Sequence, residues 1–254
     1  MLFVIDAGNT NIVGGVYDSG KPVETLRIRT VQGKTEDEYG VVVKAILLDR
    51  GIDPQTIKRV IISSVVPQLT TAMEKMARHL FHVEPVLLGP SVYGNLPVSV
   101  VAAHEIGSDL VADAMAAWTK YSQACLVVDF GTALTFTAVD SKGAIIGVSI
   151  APGLGTAAGS LSKNTAQLPS VPLEVPASAM GRNTVEAIQA GVVLGYTGLV
   201  EYLVARIRGE LGGMAKVIAT GGMCRVLSGL TDVFDEIDPD LTLSGLAKME
   251  EYLF

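Results

Sequence analysis

Leu2-Phe3-Val4-Ile5-Asp6-Ala7-Gly8-Asn9-Thr10-Asn11 is an apolar run that stops at an aspartate and turns through a glycine among small polar residues. Ile12 to Tyr17 follows, apolar with glycines. Asp18-Ser19-Gly20-Lys21 is a turn, and Pro22 to Arg29 reads as a third strand. Short apolar runs punctuated in this way predict a three-strand meander. The second half of the chain repeats it. Cys125-Leu126-Val127-Val128-Asp129-Phe130-Gly131-Thr132 matches the first strand and its turn, Phe136 to Val139 the second strand, Asp140-Ser141-Lys142-Gly143 the next turn, and Ala144 to Ile150 the third strand. With a one-residue gap Asp6 falls on Asp129 and Gly8 on Gly131. Self-similarity of this extent predicts two similar domains, residues 1–117 and 118–254.

The remaining segments alternate helix and strand. Glu36 to Asp49 has apolar residues at helical spacing and acidic residues in its first turn, where the helix dipole favours them. Lys58 to Val66 reads as a strand, Leu69 to Phe81 as a helix, Val86 to Gly89 as a short strand and Glu105 to Tyr121 as a helix. Asn183 to Leu211 reads as one long helix or two joined near Gly195 or Gly198. Lys216 to Thr220 is a strand and Leu243 to Leu253 a closing helix. Three antiparallel strands followed by helix, strand and helix, occurring twice, predict a two-domain α/β architecture.

Composition narrows the function. With 49% hydrophobic and 18% charged residues in 254, the chain has ample material for a buried core. The net charge of −7 and the lack of any Lys/Arg-rich stretch argue against a nucleic-acid partner. Cys125 and Cys224 have no second Cys or His at metal-ligand spacing, so both are expected as buried, reduced thiols. His79, His82 and His104 also lack a ligand pattern. The first residues show no positively charged n-region, and the apolar segment Ala187 to Val200 is short for a membrane span. A cytoplasmic protein is expected.

Three motifs carry chemistry. In Asp6-Ala7-Gly8-Asn9-Thr10-Asn11, a glycine turn lets backbone N–H groups approach phosphate oxygens, and Asn and Thr add donors. The aspartate can hold a hydrated Mg²⁺, which prefers one or two carboxylates plus phosphates. A single Asp-x-Gly at a strand end is most often a plain turn. Asp129-Phe130-Gly131-Thr132-Ala133-Leu134-Thr135 supplies a second copy, however, and Val217-Ile218-Ala219-Thr220-Gly221-Gly222 places two glycines after a buried strand. Together the three suit a nucleoside triphosphate and its metal.

Their order is similar to the two phosphate motifs and the adenosine motif of the acetate-kinase, sugar-kinase and actin superfamily. Over nearly its whole length the chain resembles the type III pantothenate kinases. The resembling segments include Thr35-Glu36-Asp37-Glu38-Tyr39, Ile62-Ser63-Ser64-Val65-Val66-Pro67, Ala151-Pro152-Gly153-Leu154, Lys163-Asn164-Thr165-Ala166-Gln167-Leu168-Pro169, Gly181-Arg182-Asn183-Thr184 and Leu241-Thr242-Leu243-Ser244-Gly245-Leu246. The resemblance implies two ribonuclease H-like domains, ATP and Mg²⁺ as cofactors, a monovalent cation (K⁺ or NH₄⁺), a small alcohol acceptor and a homodimer. It implies an ATP loop of Asp6, Ala7, Gly8, Asn9, Thr10, Asn11, Ile12 and Val13, with Asp6 holding Mg²⁺ together with the nucleotide. Thr132, Gly221 and Gly222 would also contact ATP, and Asp129 would ligate the monovalent cation. Asp109 would be the general base, with Val100, Gly107, Ser108, Asp109, Leu110 and Thr184 on the acceptor side.

The chain departs from the family pattern on that acceptor side. The family has Gly-Ala-Asp-Arg where this chain has Gly107-Ser108-Asp109-Leu110, a tyrosine where it has Val100, and Gly-Gly-Ala-Ile where it has Gly147-Val148-Ser149-Ile150. Three readings follow: a pantothenate kinase with a modified pocket, a kinase for a less anionic alcohol, and an ATP-binding regulatory protein without kinase activity.

Overall fold

A computed structural model describes residues 1–254. The chain forms two compact units, Met1–Ala116 together with Thr242–Phe254, and Ala117–Leu241. The first contains β1 (Leu2–Ala7), β2 (Asn11–Asp18), β3 (Lys21–Arg29), α1 (Glu36–Asp49), β4 (Arg59–Ser64), α2 (Pro67–Phe81), β5 (Val86–Leu87), α3 (Pro90–Tyr93), β6 (Ser99–Val100) and most of α4 (Ser108–Tyr121). The second contains β7 (Cys125–Phe130), β8 (Ala133–Val139), β9 (Ala144–Pro152), α5 (Leu154–Asn164), α6 (Thr184–Gln189), α7 (Gly195–Glu210), β10 (Lys216–Thr220), α8 (Cys224–Leu227) and β11 (Glu236–Ile237). The closing helices α9 (Leu241–Lys248) and α10 (Glu250–Leu253) return to the first unit.

The meander read twice in the sequence is built twice. In the first unit the strand order is β3-β2-β1-β4-β5, with β1–β2 and β2–β3 antiparallel and β4 parallel to β1. In the second, β7–β8 and β8–β9 are antiparallel, and β10 lies parallel to β7. In both units the parallel strand returns beside the strand that ends in the motif aspartate. Its register sets Asp6 opposite Ser63 and Asp129 opposite Thr220.

Helices are specified locally and anchored by burial. Thr35 and Glu38 form a reciprocal capping box at the start of α1, which satisfies two N-terminal amides. Tyr39, Val43 and Leu47 then face the core, with Met73 and Met76 of α2 in the same cluster. Phe3 meets Phe81 at 5.2 Å between ring centroids and 57° between planes. Fully burying such side chains contributes about 1.5–3 kcal/mol each. The second core gathers Leu126, Val128, Phe130, Phe136 and Leu227, with Phe234 edge-on to Phe130 at 5.9 Å.

The helical run expected from Asn183 is present, while other helix boundaries differ from the periodicity reading: α2 starts at Pro67 and the closing helix is split into α9 and α10. Helix α4 begins at Ser108, after Glu105, because the amides of Glu105 and Ile106 close a turn on the Ala102 carbonyl. The segment from Asn183 onward is one helical run whose middle, Ala190–Leu194, widens into a π-turn before Gly195. By length and composition alone the run Thr184–Glu210 is apolar enough to cross a membrane. Val193, Val200 and Val204 of this run are buried, and the latter two belong to the second core. Both cysteines are free and buried, and burial pushes the Cys125 thiol up to about 12.

Candidate active site

The phosphate turn of the first unit is rigidly framed. The Gly8 amide donates to the Asn11 carbonyl at 3.0 Å and closes the turn between β1 and β2. Thr30, just past the end of β3, clamps it from the side. Its hydroxyl donates to the Gly8 carbonyl at 2.7 Å and its amide to the Thr10 carbonyl at 3.0 Å. Asn9 and Thr10 remain exposed at the tip, whereas Ala7 and Ile12 are buried and Val13 is half-buried. Asn9 and Thr10 thus sit at the tip of a turn of the kind that meets an anion.

Asp6 does not stand alone at the strand end. The Ser63 hydroxyl donates to Asp6 Oδ1 at 3.3 Å, and Ser63 and Ser108 hydroxyls lie 2.9 Å apart. The Ser64 amide donates to Ser108 Oγ at 3.1 Å. Ser63 and Ser108 are both buried. Asp6 and the first residue of α4 are thus two hydrogen bonds apart, and Asp109 follows directly.

Asp109 folds back on its own helix start. Its Oδ1 accepts from the Leu110 amide at 2.9 Å. Gly107 makes this possible, since a Cβ there would overlap Oδ1. Burial raises the Asp109 carboxyl above its ordinary value, against the lowering effect of the Leu110 and Asp109 amides. A partly buried carboxyl with a raised pKa is suited to taking up a proton. Tyr93 is buried close enough to feel that charge. Its phenol is pushed up to about 12, first by burial and then by Asp109. Of the other acceptor-side candidates here, Leu110 is buried at 7% exposure and Val100 is half-buried in β6.

In the second unit Asp129 ends β7 and Thr132 lies exposed in the following turn. The Thr132 carbonyl is held by the Gly153 amide at 3.0 Å and the Thr156 hydroxyl at 2.6 Å. Gly221, after β10, packs directly over the Asp129 carboxylate, and Gly222 beside it is exposed. The turn after β7 and the turn after β10 therefore meet at one carboxylate.

Thr184 lies elsewhere in the same unit. It lines a groove of about 720 Å³ with Leu161, Leu168, Arg182, Asn183 and Ile188. Asn183 caps α6 by accepting from the Glu186 amide at 3.0 Å, while Glu186 accepts from the Arg182 amide and the Asn183 side chain at 2.8 and 2.9 Å. The exposed Arg182 and Thr184 are the polar groups offered to an otherwise largely apolar groove.

Sequence reasoning assigned no role to Ser63, Tyr93 or Thr30. Ser63 and Ser64 were visible as a motif, but only the parallel register of β1 and β4 brings Ser63 opposite Asp6. Thr30 and Tyr93 carried no signal in the sequence.

The cation sites can be tested against these residues. No group of three or more His, Cys, Asp or Glu side chains is assembled anywhere. Mg²⁺ carried in with a nucleotide needs only one or two carboxylates besides the phosphates. Asp6, beside a turn of exposed donors, fits that requirement.

A duplicated meander with parallel return strands, and an aspartate near the end of each first strand, make up two ribonuclease H-like domains. A structure described as a 2-dehydro-3-deoxygalactonokinase protein from Sinorhizobium meliloti shares this fold at TM-score 0.60 and 10% identity, covering 100% of this chain and 98% of that one. A Baf family transcriptional activator from Campylobacter jejuni does so at TM-score 0.61 and 18% identity, covering 98% of both chains. The chain belongs to the type III pantothenate kinase family, whose sequence model matches residues 2–206. It is 41% identical over 246 residues to the type III pantothenate kinase of Myxococcus xanthus, covering 97% of this chain and 96% of that protein.

Proposed function

We propose that the chain phosphorylates the primary hydroxyl of pantothenate with ATP, the first step of coenzyme A synthesis. The observation that carries this reading is the hydrogen-bonded path Asp6–Ser63–Ser108, which ties the phosphate turn to the start of the helix bearing Asp109. In this reading the phosphoryl donor site and the proton acceptor lie in one unit, which supports their acting together.

The roles are those the family resemblance implies. The turn from Gly8 to Asn11 cradles the ATP phosphates, with Asp6, Ala7, Ile12 and Val13 holding its strand ends. Mg²⁺, held by Asp6 and the nucleotide, neutralises charge on the phosphates when bound. Asp109 accepts the hydroxyl proton as the alcohol oxygen bonds to the γ-phosphorus and the bond to ADP breaks, a task for a carboxylate within hydrogen-bond reach. Positioning and charge neutralisation supply most of the rate. Thr132, Gly221 and Gly222 contact the nucleotide, and Asp129 takes K⁺ or NH₄⁺. Gly107, Ser108, Leu110, Val100 and Thr184 shape the acceptor site. The enzyme acts in the cytoplasm as a homodimer of two domains divided near residue 117, and it needs neither a nucleic-acid nor a membrane partner.

Purified full-length protein with ATP, Mg²⁺, K⁺ and pantothenate should release ADP and form 4′-phosphopantothenate in equal amounts. Asp109→Asn should slow both by about 10²–10⁴-fold. ATP binding without product, under conditions where ATP is saturating, would overturn the assignment. Leu110 in place of a cation favours one second reading, a less anionic alcohol as acceptor, and the same assay with neutral alcohols separates the two.

A further inference from the structure

The hydroxyl pair Ser63–Ser108 has only one consistent hydrogen-bond direction when Asp6 is ionised. A carboxylate can only accept, so the single Ser63 proton goes to Asp6 Oδ1. The Ser63 oxygen is then the acceptor in its 2.9 Å contact, and Ser108 must donate. Ser108 Oγ in turn accepts from the Ser64 amide. The result is a directed chain from the Ser64 amide through Ser108 and Ser63 to Asp6. Both hydroxyls are buried, at 0% and 6% exposure, so water does not readily substitute for either link. Buried chains of this kind polarise along their length and are sensitive to what sits at the charged end.

Ser108 is also the first residue of α4, and Asp109 is shaped by the same turn through its bond to the Leu110 amide. An alanine at position 108 could make neither of the Ser108 bonds.

We propose that Ser108 is a positioning residue that, through Ser63, couples occupancy of Asp6 by the metal-bound nucleotide to the placement of Asp109. This rests on Asp6 belonging to the ATP loop and Asp109 being the base. Charge drawn off Asp6 by a bound cation weakens its pull on the Ser63 proton. The chain readjusts, and the first turn of α4 moves with it.

The test is hydrogen–deuterium exchange on the full-length chain with and without Mg²⁺·ATP, paired with steady-state kinetics on pantothenate. In the parent protein, Mg²⁺·ATP should slow exchange both in the loop Gly8–Asn11 and in the first turn of α4, Ser108–Val111. In Ser63→Ala and Ser108→Ala the loop should still respond while the α4 turn should not. Each variant should lose about tenfold in kcat/KM, the effect of a hydrogen bond in a charged network. The double variant should lose no more than the worse single one, because both cut the same chain. Protection of the α4 turn that survives in the single variants overturns the proposal, as does a double loss equal to the product of the two. A parent protein whose loop responds to nucleotide but whose α4 turn does not overturns it equally. Ser108→Ala creates only a small void and carries the test if Ser63→Ala fails to fold. Activity retained in Asp109→Asn would instead remove Asp109 as the base, and the exchange result would still stand as a test of the coupling.

Discussion

Gly221 sits on the Asp129 carboxylate: with φ at +88°, a Cβ on Gly221 would overlap Asp129 Oδ1 and lie 2.7 Å from the Phe130 backbone nitrogen. The turn after β10 can close over the end of β7 only because no side chain intervenes. Gly221→Ala adds both a steric clash with backbone and a left-handed backbone strain of about 1–3 kcal/mol. The variant should melt several degrees lower and bind ATP at least about tenfold more weakly. Calorimetric titration with ATP alongside a thermal melt checks this. Unchanged values for both would mean that this turn does not border the nucleotide.

Asp109 should trade stability for activity. Its carboxyl is raised by burial above the ordinary 3.8. Between that value and the raised folded one, the native state holds more protons than the unfolded state, so stability falls as pH rises through the window. Above the window the buried charge is a standing cost. Asp109→Asn should therefore raise the melting temperature at neutral pH, with the gain shrinking to nothing below pH 3.8. It should also lower kcat by about 10²–10⁴-fold, the range for loss of a general base. A melting temperature that falls at neutral pH would contradict the direction of the shift.

The same raised value shapes the activity profile. A base must be ionised to accept a proton, so kcat/KM should drop as pH falls through the Asp109 value, at a pH above that of an ordinary carboxylate. An acid limb at or below 3.8 would exclude Asp109 as its source.

Leu110→Arg restores the family cation. A charge-assisted hydrogen bond to a carboxylate contributes about 1.5–3 kcal/mol, so KM for pantothenate should fall by about tenfold or more. Leu110 is buried, and the variant should lose some stability with its apolar contacts. Measuring KM and melting temperature together separates these effects. An unchanged KM would show that position 110 does not meet the pantothenate carboxylate, and Arg182→Ala would be the variant to examine next.

Asp129→Asn tests the monovalent cation. If Asp129 holds K⁺ or NH₄⁺, exchanging K⁺ for a bulky organic cation should reduce kcat/KM in the parent, and the variant should be slow and indifferent to the exchange. A variant that responds to K⁺ as the parent does would move the cation elsewhere.

Much of this was legible in the chain itself. The two blocks beginning at Leu2 and Cys125 announce themselves because a strand buried on both faces must be apolar throughout, and an aspartate followed by a turn glycine ends it abruptly. Thr35 with Glu38 is equally local, since capping needs only neighbours in sequence. Asp109 was found through its resemblance and not its surroundings. An aspartate in a helix's first turn looks the same in sequence whether it caps or catalyses, and the burial of Asp109 and its fold over Gly107 are visible only in the structure.

What the sequence by itself determined is the set of segments with internal periodicity: two meanders, their helices and the turns that carry the motif residues. These depend on short-range sterics and on the alternation of apolar and polar side chains. Only the tertiary structure decided which of those segments face each other. The parallel register of β1 and β4 sets Ser63 against Asp6 across a separation of 57 residues. The closing helix α9 joins the first unit, where Gly245 lies against the Ala112 backbone too closely for any Cβ. Such pairings come from burying complementary surfaces, and no single segment carries that information.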